Sequence, residues 1–200
     1  MPDHYYSKAP VSAHKPGECT TNFMGHSLVF ETDAGVFSRD GLDKGTELLL
    51  GSLPPLSGDI LDLGCGWGPV GISLAKAYPT ARVTMVDINS RAVELSQKNA
   101  KQNSVHVRVL QSDGFEAIMD AKFSCIITNP PIRAGKQVIY SLFEQSLLHL
   151  MPGGSLYIVI RKQQGAPSAL TFLNTIYQSV QVVEKSGGFW VIRAALDNES

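Results

Sequence analysis

The chain reads as an α/β fold of the doubly wound type, a mostly parallel seven-stranded sheet with helices on both faces and a closing antiparallel hairpin. Three observations predict it. From residue 59 onward, short apolar runs alternate with longer amphipathic segments, the pattern of strands joined by crossover helices. The run Phe123-Ser124-Cys125-Ile126-Ile127-Thr128 is almost wholly apolar, as expected of a strand covered on both faces. Near the end, two strand-like runs are separated only by Ser186-Gly187, a tight connection that joins antiparallel neighbours.

Taken in order, residues 1–25 mix His, Tyr, Lys, Pro and Gly without clear periodicity and read as an N-terminal extension, with one domain following over 26–196. Ser27-Leu28-Val29-Phe30-Glu31-Thr32 reads as a strand, Thr32-Asp33-Ala34-Gly35 as a turn, and Val36-Phe37-Ser38 as the returning strand of an added N-terminal hairpin. Asp40 is a cap for a helix over about 41–51, which Pro54-Pro55 and Gly58 terminate. Strands follow at 59–63, 82–87, 106–111 and 123–128, interleaved with helices at 69–78 and 90–102; Pro69 suits a first helical turn. A helix over about 136–151, a strand at 154–160, a helix near 166–177 and strands at 180–185 and 188–194 complete the domain.

Two hundred residues with 44% hydrophobic and 18% charged positions suit one globular domain. No apolar run approaches the roughly 18–20 residues of a membrane-spanning helix, so no membrane partner is expected. The first ten residues have no apolar core, so no secretory signal is expected either. Cys19, Cys65 and Cys125 form no CxxC pair, so neither a disulfide framework nor a metal site is expected; reduced thiols point to the cytoplasm. A net charge of −1 means that any nucleic-acid contact must come from a local patch.

The chemistry concentrates at strand ends. Asp62-Leu63-Gly64-Cys65-Gly66-Trp67-Gly68 sits where a strand hands over to a helix, the place where open α/β folds bind cofactors. One or two glycines are explained by a tight turn; three at alternate positions let backbone approach a ligand. The next strand ends at Asp87, 23 residues beyond Gly64, near the spacing of a ribose-binding acid. Its alternative reading is a cap for helix 90–102, for which Asn89 or Ser90 is better placed. A dinucleotide favours GxGxxG, whereas this loop is GxGxG preceded by Asp62. S-adenosylmethionine carries an ammonium that Asp62 can compensate and a carboxylate that loop amides can face. Here the chain resembles class I methyltransferases. The resemblance implies cofactor contacts at Asp62, Gly64, Cys65, Gly66 and Gly68, at Asp87 and Ile88, and at Asp113, Gly114 and Phe115, where the adenine would lie.

Thr128-Asn129-Pro130-Pro131-Ile132 opens at the same sheet edge. Two prolines fix φ and keep the local carbonyls out of any helix. The Asn129 side-chain carbonyl and the Pro130 main-chain carbonyl can accept the two hydrogens of a planar amine, which makes Asn129, Pro130, Pro131 and Ile132 the catalytic candidates; Asn129 also borders the cofactor. The alternative is an Asn-Pro-Pro turn without chemistry. The tetrad resembles the N/D-P-P-Y/F signature of methyltransferases acting on exocyclic and amide nitrogens, with Ile132 replacing the usual aromatic residue.

The string Gly35-Val36-Phe37-Ser38-Arg39-Asp40-Gly41-Leu42-Asp43-Lys44-Gly45 narrows the resemblance to small-domain methyltransferases that act on guanine N2 of 16S ribosomal RNA. It implies Phe37 and Ser38 as cofactor contacts, and ribosomal RNA or the small ribosomal subunit as partner. Longer members carry an additional N-terminal copy of the fold, which 200 residues cannot hold. Arg133, Lys136, Arg161 and Lys162 follow strand ends and are candidates for RNA phosphates; His4, Tyr5, Tyr6, Lys8 and His14 can add stacking and charge. A protein glutamine or a DNA base remains an alternative acceptor. A non-catalytic S-adenosylmethionine- or RNA-binding module is the alternative of another class.

Overall fold

A computed structural model of the chain describes residues 13–38 and 41–198. The strands are β1 (Gly17–Phe23), β2 (His26–Thr32), β3 (Asp59–Leu63), β4 (Arg82–Asp87), β5 (Arg108–Gln111), β6 (Phe123–Thr128), β7 (Leu150–Arg161), β8 (Ser179–Ser186) and β9 (Phe189–Ala195). The helices are α1 (Lys44–Ser52), α2 (Pro69–Ala77), α3 (Ser90–Gln102), α4 (Lys136–His149) and α5 (Ala166–Ile176). Seven strands form one sheet in the order β5-β4-β3-β6-β7-β9-β8; β1 and β2 form a separate two-stranded sheet. β3 pairs in parallel with both β4 and β6, and β9 runs antiparallel to β7 and β8. The sheet thus grows outward from β3 through β4 to β5, then restarts on the other side with β6. Such a reversal leaves a crevice at the carboxyl ends of the strands.

Alternation along each strand sends side chains into two core layers. Ile60 and Ile127 join the layer under α1, α2 and β2, with Phe30, Leu49 and Ile72; Leu61 and Ile126 join the opposite layer with Phe143 and Leu173 from α4 and α5. In both layers the sheet residues are sealed from solvent, with Ile60, Leu61, Ile126 and Ile127 fully buried. This double coverage is why β6 reads as an almost wholly apolar run.

The added N-terminal hairpin is present as expected, but the strand that pairs with β2 is a different one. β2 pairs with β1, which lies inside the segment read as an extension, from Gly17 opposite Thr32 to Phe23 opposite His26. β1 was hard to read because its alternate positions Cys19, Thr21 and Phe23 are only half-buried. Val36-Phe37-Ser38 is a turn and not a strand: Val36 is buried in the first core layer, and Ser38 has a φ of 56°. Helix α1 starts at Lys44 with Asp43 as its N-cap, later than expected, because Gly41 at φ 131° cannot join it. The expected cap Asp40, with Arg39 and residues 1–12, lies outside the described residues, as do His4, Tyr5, Tyr6 and Lys8.

Two asparagines four residues apart, Asn99 on α3 and Asn103 at its C-cap, dock this hairpin. Asn99 Oδ1 accepts from Glu31 N at 2.7 Å while its Nδ2 donates to Glu31 O at 2.9 Å; Asn103 repeats the pattern with Val29 at 3.0 and 2.7 Å. A helix thereby satisfies strand backbone that would otherwise be buried without partners. Among the described residues, no helix is long and apolar enough to cross a membrane.

Candidate functional site

Loops after β3, β4, β5 and β6 meet over one cavity of about 970 Å³, including its open mouth. After β3, Gly64 N and Cys65 N both donate to Val86 O at 2.9 Å, Gly66 N donates to Asp87 Oδ2 at 2.8 Å, and Gly68 N to Cys65 O at 2.9 Å. The loop amides are expected to face a ligand carboxylate; in the structure those of Gly64, Cys65 and Gly66 hold the loop to the end of β4, and that of Gly68 closes a turn within the loop. Gly66 has a φ of 58°, and a Cβ added there meets nothing within 4 Å, so the loop borders open space. Gly68 behaves differently. At φ 94° it precedes α2, and a Cβ there would lie 2.7 Å from Ile72 and 3.0 Å from Met85, which makes it a packing position outside the cavity lining.

Two carboxylates face this space. Asp62 is buried and accepts from Gly71 N at 2.8 Å. Burial pushes its carboxyl up to about 7; the Gly71 hydrogen bond opposes the rise and the Asp87 charge adds to it. Burial likewise pushes Asp87 up to about 6, against hydrogen bonds from the Asn89, Gly66 and Ile88 amides. Asp87 Oδ2 accepts from Gly66 N at 2.8 Å and Oδ1 from Asn89 N at 2.9 Å, and with the Ile88 amide these three donors do not exhaust the roughly four lone-pair sites of a carboxylate. A cation beside Asp62 and a diol beside Asp87 therefore fit the residues present. The cap of α3 is Asn89, whose Oδ1 accepts from Arg91 N and Ala92 N, leaving Asp87 free of that duty.

Segment 34–38 folds over the glycine loop. Trp67 Nε1 donates to Phe37 O at 2.9 Å, and Asn89 Nδ2 donates to Gly35 O at 2.8 Å. Phe37 and Ser38 line the cavity, and Phe37 is 39% exposed. His14, on the segment leading into the hairpin, bonds Asp33 through Nδ1.

The second half of the cavity belongs to β6. Thr128 Oγ1 donates to Leu63 O at 2.7 Å, tying the two strand ends together. Asn129, Pro130 and Pro131 line the cavity together with Asp62, Gly64, Cys65, Gly66, Asp87, Ile88 and Gly114. Asn129 Nδ2 donates to Thr46 Oγ1 at 3.0 Å and lies 3.3 Å from Asp43 Oδ2. Ile132 is half-buried against the second core layer and does not line the cavity.

Other candidates lie apart from the cavity lining. Phe115 is 2% exposed and stacks on His149 with ring centroids 4.3 Å apart, so its ring is a core element. Asp113 sits in the turn before it, its carbonyl accepting from Glu116 N. Arg133, Lys136, Arg161 and Lys162 are exposed beyond the carboxyl ends of β6 and β7. Lys136 Nζ lies 5.0 Å from the Tyr140 ring centroid, and the Arg161 guanidinium lies 4.6 Å from that of Phe189. Sequence reasoning missed Asp43, Thr46, Asn89 and Ser112 as lining residues. Asp43-Lys44-Gly45-Thr46 carried a usable signal, an N-cap acid before a helical run.

The family model for the methyltransferase small domain matches residues 27–193. The uncharacterized protein YbxB of Bacillus subtilis (strain 168) is 44% identical over 198 residues, covering 97% of this chain and 98% of that protein. The ribosomal RNA small subunit methyltransferase C of Escherichia coli O7:K1 is 35% identical over 178 residues, 86% of this chain and 51% of that protein. The solved Thermus thermophilus 16S rRNA N2 G1207 methyltransferase (RsmC), in complex with AdoMet and guanosine, superposes with a TM-score of 0.83 at 26% identity, covering 94% of this chain and 52% of that one. This chain thus spans nearly the whole Bacillus relative and about half of the named methyltransferases.

Proposed function

The chain belongs to the methyltransferase small-domain family and is an S-adenosylmethionine-dependent methyltransferase; from that premise we propose that it methylates an exocyclic amine, guanine N2 of 16S ribosomal RNA. One observation carries the reading: the buried carboxylates Asp62 and Asp87 and the tetrad residues Asn129, Pro130 and Pro131 line the same cavity. The names of the relatives support the RNA acceptor.

When bound, the cofactor supplies an electrophilic methyl group. Asp62 compensates its ammonium and Asp87 accepts from its ribose hydroxyls, while Gly64, Cys65, Gly66, Ile88 and Gly114 shape the walls around it. Phe37 and Ser38 cover it from segment 34–38. The Asn129 carbonyl and the Pro130 main-chain carbonyl accept the two amine hydrogens, which draws the nitrogen toward sp³ geometry and aims its lone pair at the methyl carbon. With the cofactor bound, the methyl group it supplies would pass to that nitrogen, leaving the sulfur with the S–C electron pair. One N–H proton then leaves to solvent, because neither carbonyl is basic enough to keep it. Orientation and a fixed polar frame supply the acceleration.

RNA phosphates meet Arg133, Lys136, Arg161 and Lys162, exposed at and beyond the carboxyl ends of β6 and β7. Such an enzyme works in the cytoplasm, where small subunits assemble. The test is transfer of labelled methyl to 16S RNA and to small subunits from cells lacking the protein, followed by nucleoside mass spectrometry. N2-methylguanosine is the expected product. Label that survives ribonuclease but not protease would replace RNA with a protein acceptor, and binding without turnover would make the chain a non-catalytic module.

A further inference from the structure

We infer that Asp43 and Thr46, at the first turn of α1, are positioning residues that set which end of the Asn129 amide meets the acceptor amine. This rests on the tetrad reading above and extends it to residues some 80 positions upstream.

An asparagine side chain presents an acceptor at one end and donors at the other, and only the acceptor end suits an amine hydrogen. The surrounding protons decide the orientation here. Asp43 Oδ1 accepts from Gly45 N at 2.9 Å and Thr46 N at 3.3 Å. The Thr46 hydroxyl donates to Asp43 Oδ2 at 2.5 Å, so its one proton is committed and it meets Asn129 as an acceptor. Both groups facing Asn129 are therefore acceptors, and both call for Nδ2. With the amide reversed, Asn129 Oδ1 would face a carboxylate oxygen and a hydroxyl oxygen without a proton between them. The orientation follows from the network and not from the shape of the side chain.

The network also has a rigid mounting. Gly45 packs so closely on β9 that an added Cβ would lie 2.7 Å from the Phe189 ring. Phe189 is itself buried beneath Arg161. The cap of α1, the start of β9 and the end of β6 thus hold one another in register. The Asp43 charge further polarises the Asn129 amide, making Oδ1 a stronger acceptor.

Thr46→Val keeps the volume and loses the hydroxyl, and Asp43→Asn keeps an N-capping side chain while replacing one acceptor oxygen with a donor. Each is expected to lower kcat about 10–100-fold on the RNA methylated by the wild type. The cofactor Kd by calorimetry stays within about twofold in both. Thr46→Ser is expected to recover kcat to within about threefold. In the ligand-free protein, the Asn129 side-chain NH2 protons are expected to exchange slowly by NMR, and quickly in Thr46→Val. Wild-type kcat and unchanged NH2 exchange in Thr46→Val and Asp43→Asn, with Asn129→Ala inactive, would overturn the inference and leave the tetrad reading standing. Full activity in Asn129→Ala would instead overturn the tetrad reading and this inference with it. A Thr46→Ser variant as slow as Thr46→Val would assign the loss to packing and also overturn the inference.

Discussion

The two halves of the cavity are built by different means. The half after β3 and β4 is self-supporting: Gly64, Cys65 and Gly66 bond the end of the adjacent strand, and Gly68 packs under Ile72 and Met85. The half after β6 borrows its order from afar, since Asn129 is oriented by Asp43 and Thr46, separated from it by 86 and 83 residues. In the first half, folding and ligand binding share the same atoms. In the second, the reacting geometry can be spoiled while fold and cofactor site persist.

The sharpest way to break this contrast is Asn129→Ala. It is expected to lower kcat by about 10²–10³-fold, the scale of losing a transition-state contact, while the cofactor Kd changes little; kinetics with calorimetry checks both. A parallel collapse in cofactor affinity would merge the two halves into one.

The next effect is pH dependence confined to the first half. Folded-state values of about 7 for Asp62 and about 6 for Asp87 lie above the ordinary 3.8. The folded protein thus binds protons more tightly than the unfolded chain, so this contribution to stability is lost as pH rises from about 4 to about 7. A bound cation favours ionised Asp62, so cofactor affinity should rise with pH over the upper part of that range. Denaturation and calorimetry at several pH values test this; Asp62→Asn should flatten both profiles near pH 7.

Gly68→Ala sharpens the claim that the glycine loop is structural as well as ligand-facing. Strain at φ 94° and the short contacts to Ile72 and Met85 should cost about 1–3 kcal/mol, read as a lower Tm without cofactor. The smallest expected effect belongs to the exposed basic residues at the ends of β6 and β7. Arg161→Ala should weaken RNA binding several-fold and reduce its salt dependence by about one phosphate contact, leaving cofactor affinity unchanged.

Much of the cavity was legible in the sequence because its signals are local. A GxGxG loop after a buried strand, an acid at the next strand end and Asn-Pro-Pro after an Ile-rich strand each declare themselves within a few residues. Phe115 shows the limit of such reading: an aromatic residue beside a strand end looks the same in sequence whether it lines the cavity or, as here, stacks on His149 in the core. β1 escaped for a related reason, since a strand half-exposed on its inner face has little apolar alternation to detect. The docking of β2 by Asn99 and Asn103 left no pattern at all, because isolated asparagines on a helix ordinarily read as solvent-facing.

The sequence by itself determined the strand–helix alternation, the parallel sheet with its closing hairpin, and the order of the chemical segments along the chain. These follow from periodicity and backbone preference, which act between near neighbours. Only the tertiary structure decided that Gly68 and Phe115 serve packing, that Asp43 caps α1, and that this same acid reaches across to Asn129. Hydrogen-bond direction and side-chain burial depend on partners brought together by the fold, and no local pattern encodes which partner arrives.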